Sequence, residues 1–183
     1  SRAHLSAVYR DLGNLDEAID LLKGSLDFYN KNLPKDHVIQ GWIKFHLGST
    51  YRHKGDREMA MKLLSESLAI NQKHYGKSHI KTAQILNSLG KLGIVCQTFE
   101  KSKEYLENAL KVYSIENHHD RYKVYEALGD LYNEMYRRGD GNRSIMSKSL
   151  ENFQKAIVVV EKHFPTDSTH IVRIRSKIAR LEI

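Results

Sequence analysis

Cysteine, proline and long apolar runs are all scarce in this chain. A single cysteine, Cys96, among 183 residues cannot close an internal disulfide, which excludes a disulfide-stapled scaffold. No stretch has the charged, then apolar, then small-residue order of a secretion signal, so the reducing cytosol is the expected compartment. Two prolines and 11 glycines rule out collagen-like and Pro/Gly-rich low-complexity classes. The longest apolar stretches, such as Ala156 to Val160, fall far short of the roughly 18 to 20 residues that cross a bilayer, and no membrane insertion is expected.

What is present suits a helix-rich globular chain, with 40% hydrophobic and 28% charged residues. The net charge of +7 is unevenly placed. Residues 37–78 carry 7 basic and 3 acidic groups and residues 171–183 carry 4 and 1, whereas residues 1–36 and 79–170 are nearly balanced. Basic charge in one central segment and one tail suggests an acidic partner. It does not make the long basic face of a nucleic-acid binder.

The sequence repeats. Leu5, Leu47, Leu89 and Leu128 are separated by 42, 42 and 39 residues; Ala18, Ala60, Ser102 and Ser149, and likewise Ser25, Ser67, Ala109 and Ala156, by 42, 42 and 47. The fourth unit thus carries 8 extra residues between its halves. Each unit holds two amphipathic stretches. In the second, Leu47, Gly48 and Tyr51 share a helical face, Gly55-Asp56 makes a turn, and Ala60, Leu64, Ser67 and Leu68 share another. Small residues at Gly48, Ala60 and Ser67 beside large ones at Leu47, Tyr51, Leu64 and Leu68 suit a closely packed helical hairpin.

These residues resemble the tetratricopeptide repeat pattern. Leu47-Gly48 with Tyr51 and Leu128-Gly129 with Tyr132 match its first helix, Leu5-Ser6 with Tyr9 nearly so, while the third unit has Leu89-Gly90 but Gly93 in place of the Tyr. Ala18 with Leu22, Ala60 with Leu64, Ser102 with Leu106 and Ser149 with Phe153 carry the second helix. The longer period, the connectors Pro34-Lys35-Asp36-His37 and Gly76-Lys77-Ser78-His79, and Leu86-Asn87-Ser88-Leu89 resemble the longer repeats of the kinesin light chain-like subclass. The resemblance implies an all-α fold, a right-handed α-solenoid of stacked helix–turn–helix pairs. The repeats are expected at about 1–36, 37–78, 79–117 and 118–169, with a terminal or capping helix at 170–183. A first helix cut short and an unpaired last helix suggest a piece of a longer protein.

Enzyme chemistry finds little support. Gly76-Lys77-Ser78 lacks the earlier Gly and the preceding strand of a phosphate-binding loop, and no Gly-x-Ser-x-Gly or His-Glu-x-x-His occurs. Among ten histidines the metal candidates are His118-His119-Asp120 and His74 with His79. Yet His37, His79, His118 and His170 fall in successive connectors, and the four-ligand cluster of a zinc site is not visible in the sequence, with Cys96 placed inside a helix. Neither a metal nor a cofactor is expected. The insertion around 137–148 contains Arg138-Gly139-Asp140 and Asn142-Arg143-Ser144; both motifs need an extracellular setting, and a flexible turn is the simpler reading.

The stronger functional signal lies on the other face of each first helix, which in tetratricopeptide repeats lines the concave groove. There the resemblance places ligand contacts at Trp42, Phe45, Ser49 and Arg52, at Gln84, Asn87 and Lys91 (with Ile94), and at Lys123 and Asp130 (with Glu126 and Asn133). In the first unit the stripe is Ala3, Ala7 and Arg10. The expected function is a non-catalytic scaffold binding a protein or peptide segment that carries acidic and apolar residues. Trp42 and Phe45 would hold an apolar anchor, Arg52 and Lys91 carboxylates, and Asn87 the peptide backbone; packing of the two aromatic rings near Tyr29 is the competing reading. Two alternatives stand beside it: a regulatory or targeting module of a larger enzyme or signalling protein, and nucleic-acid binding through the second repeat and Arg173 to Arg180. The sequence sets neither partner identity nor oligomeric state.

Overall fold

Two amphipathic stretches per repeat, each too short to bury its apolar stripe alone, are satisfied by pairing into antiparallel hairpins. The computed structural model describes residues 2–139 and 143–181, with side chains from Leu5 onward. Among them are nine helices and no strand: α1 (Arg2–Asp11), α2 (Leu15–Asn32), α3 (Val38–Lys54), α4 (Arg57–Tyr75), α5 (Ile80–Val95), α6 (Phe99–Ile115), α7 (Arg121–Arg137), α8 (Arg143–His163) and α9 (Thr169–Ala179). No helix among the described residues is long and apolar enough to cross a membrane. The chain forms two compact units that meet at Leu92 and Gly93.

In the unit of residues 1–92, the small-beside-large pattern acts as the sequence suggests. Ala18, Leu22, Ala60 and Leu64 are fully buried. A Cβ on Gly48 would sit 2.9 Å from Leu64 Cγ and 3.1 Å from the Leu64 backbone nitrogen, so only glycine lets α3 and α4 approach this closely. Ser67 Oγ donates to the Gly41 carbonyl at 2.7 Å across the same hairpin. The hairpin turns at Gly55, whose φ of 89° is left-handed, and Asp56 caps α4 by accepting from the Met59 amide at 3.0 Å.

In the unit of residues 93–183 the same device recurs with other side chains. A Cβ on Gly129 would meet Phe153 Cε1 at 2.5 Å, and Ser149 Oγ donates to the Gly129 carbonyl at 2.8 Å. Gly93, which stands where the repeat has Tyr, faces Ser102: a Cβ there would fall 2.9 Å from Ser102 Cβ. The departure therefore serves close approach of α6. Tyr122, Phe153, Ala156, Val159 and Val160 form a core with Ile171 and Ile174 of α9, and Ile178 and Leu181 pack against it.

Two local expectations change. Cys96 lies in the turn after α5, because the chain closes there with the Thr98 amide donating to the Gly93 carbonyl at 2.9 Å and Gln97 at φ 61°. His170 lies inside α9, and the capping that its repeat position suggests is done by Ser168, whose Oγ accepts from the His170 amide at 3.3 Å. In the insertion, Asp140, Gly141 and Asn142 lie outside the described residues, so neither tripeptide is complete in the structure.

Candidate functional site

Helical steps of three, four and three put Trp42, Phe45, Ser49 and Arg52 on one face of α3. Trp42 and Phe45 are both partly exposed and stacked, with centroids 5.2 Å apart, and His46 meets the indole edge-on at 4.5 Å. The Lys81 ammonium lies 5.7 Å from the Trp42 ring centroid and 4.8 Å from that of Tyr75, and it donates a hydrogen bond to the Tyr75 hydroxyl at 3.0 Å. Lys81 thus joins the start of α5 to the start of α3 by a cation–π contact.

Further along, the face turns polar and hydrogen-bonding capacity goes unused. Ser49 is 5% exposed and Asn87 7%, while Arg52 and Gln84 are partly buried. Ser49 Oγ, Arg52 Nε, Gln84 Oε1 and Asn87 Oδ1 are buried atoms without a hydrogen-bond partner among the described residues. A buried polar group left unpaired costs about 1–3 kcal/mol, so such atoms are rare where a fold is using them only for itself. Burial lowers the pKa of Arg52, and the positive charge of Arg10 lowers it further. Its guanidinium approaches His53 Nε2 at 3.4 Å, and burial and then Arg52 disfavour protonation of that imidazole. The result is a partly desolvated cation flanked by another basic residue. Lys91 is partly buried on α5.

The equivalent face of α7 is arranged differently. Lys123 sits 2.7 Å from Asp120 Oδ1 and 5.8 Å from the Tyr122 ring centroid. Glu126, 6% exposed, accepts two parallel bonds at 2.8 Å from Arg173 of α9, and Lys177 lies 2.8 Å from its Oε1. Lys177 also binds Asp130 at 2.7 Å. Burial pushes the Glu126 carboxyl up, but the Arg173 hydrogen bonds and the Lys177 charge outweigh it and hold the pKa at about 2. Asp130 is therefore engaged by α9. The sequence carries a signal of this pairing that periodicity alone does not expose: acids four apart at Glu126 and Asp130 meet bases four apart at Arg173 and Lys177, each 47 residues on.

The connector histidines are caps. His37 Nδ1 accepts from the Ile39 amide at 3.2 Å, His79 Nδ1 from Lys81 at 3.1 Å and His118 Nδ1 from Asp120 at 3.1 Å. Gln40 completes a capping box by accepting from the His37 amide at 3.2 Å.

Comparison with known proteins decides the family of the amino-terminal part. A model of the tetratricopeptide repeat family matches residues 1–73. These residues are tetratricopeptide repeats. The fold of such repeats extends over the rest of the chain. Kinesin light chain-type repeats from Podosopora anserina are similar with a TM-score of 0.71 at 17% identity, over 99% of this chain and 83% of that one. BtubC (BKLC) from P. vanneervenii is similar with a TM-score of 0.75 at 18% identity, over 97% and 68%. The MamA RS-1 double mutant gives a TM-score of 0.53 at 16% identity, over 100% and 95%. No curated protein sequence matches the chain. The fold class is the all-α solenoid of these neighbours.

Proposed function

We propose that the chain is a non-catalytic protein-interaction module whose α3 and α5 face binds an extended segment of a partner protein. The observation that carries this reading is the partly exposed, stacked pair Trp42 and Phe45 on the same helical face as Arg52, a partly buried cation with no acid partner among the described residues. A peptide brings what that face can take: a carboxylate for Arg52 and an apolar side chain for the indole. Aromatic and arginine anchors of this kind dominate binding energy where water is excluded. Lys123 and Asp130 are secondary, because each already has an ion-pair partner within its own unit.

The nucleic-acid alternative weakens on the same grounds. Arg173, Arg175 and Lys177 of α9 are paired with Glu126, Glu161, and Glu126 with Asp130, respectively, which leaves little of that tail's charge for phosphates.

Trp42 is the only tryptophan, so its fluorescence reports on this face directly. Titration with extended peptides carrying one apolar anchor beside acidic residues should give a saturable change in Trp42 emission. Peptides with the acids replaced by lysine should not, and Arg52→Glu should weaken the response at least tenfold. Equal responses to acidic and basic peptides, or an unchanged response in Arg52→Glu, would overturn the reading.

A further inference from the structure

The connectors before α3, α5 and α7 are not equivalent. Each supplies one histidine whose Nδ1 accepts the amide two residues on, at His37, His79 and His118. Only the third adds a second imidazole and a carboxylate directly after it, His119 and Asp120, and neither is needed for that cap. One ligand atom from each of His118, His119 and Asp120 lies within 4.8 Å of the others. Asp120 is 8% exposed, and its Oδ1 is 3.7 Å from His119 Nε2. The antiparallel pairing of α7 with α8 brings a further imidazole near His119. His163, the last residue of α8, has its ring centroid 6.2 Å from that of His119.

We propose that His118, His119, Asp120 and His163 form a site for a divalent transition ion of the zinc class, which clips the open end of the α7–α8 hairpin. Three imidazole nitrogens and one carboxylate oxygen are the donor set of zinc, cobalt and nickel, whereas calcium and magnesium require mostly oxygen donors. Ligand atoms around a tetrahedral ion at about 2.1 Å stand roughly 3.4 Å apart, so the three ligand atoms now within 4.8 Å of one another close by about an ångström on loading and His163 swings in from a ring separation of 6.2 Å. The exposed His119 and His163 supply that movement by side-chain rotation. In sequence His118-His119-Asp120 has no fourth ligand beside it; His163, 44 residues from His119, comes near only through the hairpin.

Lys123 makes the test sharp. Its ammonium is held 2.7 Å from Asp120 Oδ1 and competes with any metal ion for that oxygen. In calorimetric titration of the metal-free protein with zinc ion, with cobalt ion absorption reporting geometry, one ion should bind per chain with the strong visible bands of a four-coordinate site. His119→Ala and His163→Ala should each weaken binding at least tenfold, Lys123→Met should tighten it severalfold, and zinc should raise the melting temperature of the wild type but not of His119→Ala or His163→Ala. His37→Ala, which alters an equivalent cap in another repeat, should bind as the wild type does. Circular dichroism without metal verifies that every variant is folded. Wild-type affinity in His163→Ala, loss of binding in His37→Ala, or no stoichiometric binding at all would each overturn the proposal.

Discussion

The first helices α3 and α7 begin from the same repeat position and finish in opposite electrostatic states. On α7 the acids Glu126 and Asp130 are answered by Arg173 and Lys177, so the polar face is consumed in holding α9. On α3 and α5 the polar atoms of Ser49, Arg52, Gln84 and Asn87 have no such partner among the described residues. One face is engaged within its own unit, and the other holds buried polar atoms with no hydrogen-bond partner among the described residues. The repeat supplies both with the same geometry; four side-chain identities decide which becomes which.

The largest effect should come from breaking the closed face. Glu126→Gln leaves Arg173 and Lys177 without their shared carboxylate. Because Arg173 is 45% exposed, the loss is discounted to about 2–3 kcal/mol in urea unfolding at pH 7. The pH dependence has a definite sign. The Glu126 pKa is depressed from 4.5 to about 2, so its stabilisation is fully present above pH 4.5 and is lost as pH falls toward 2. That loss should be absent from the Glu126→Gln profile, and an unchanged acid limb in the variant would break the comparison at its firmer side.

Next come the glycines beneath the two faces. Gly129→Ala forces a Cβ to within 2.5 Å of Phe153 and Gly48→Ala to within 2.9 Å of Leu64, and each should cost about 1–3 kcal/mol by thermal unfolding. Similar costs would show that the hairpins are packed alike and that the difference between them lies in their surface charges. The smallest effect belongs to the open face. Arg52→Met removes a partly buried cation that has no acid partner among the described residues, and it should change stability by less than about 0.5 kcal/mol, or raise it, while abolishing partner binding. A loss as large as that of Glu126→Gln would mean that Arg52 serves the fold.

Much of the fold was legible because it rests on local spacing. The 42-residue recurrence of Leu47 with Leu89 and of Ala60 with Ser102 marks positions that the structure buries at 3%, 0%, 0% and 0% exposure. Helical steps also placed Trp42, Phe45 and Arg52 on one face without any tertiary information. What the sequence hid were pairings across the chain. Spacing did not show that the bases of α9 would face the acids of α7, nor that Lys81 would lie over Trp42. It also did not show that Ser49 and Asn87, read as surface contacts, would be nearly covered. Gly93 looked like a failed repeat residue and is the point where Ser102 comes close.

The most direct test of the two-face account is a capture experiment from native extract with three folded chains: the wild type, an Arg52→Glu/Asn87→Ala/Lys91→Glu variant of the open face, and Lys123→Glu on the closed one. The account predicts that one specific protein retained by the wild type is lost from the first variant and kept by the second. Retention by the first variant with loss from the second would contradict it.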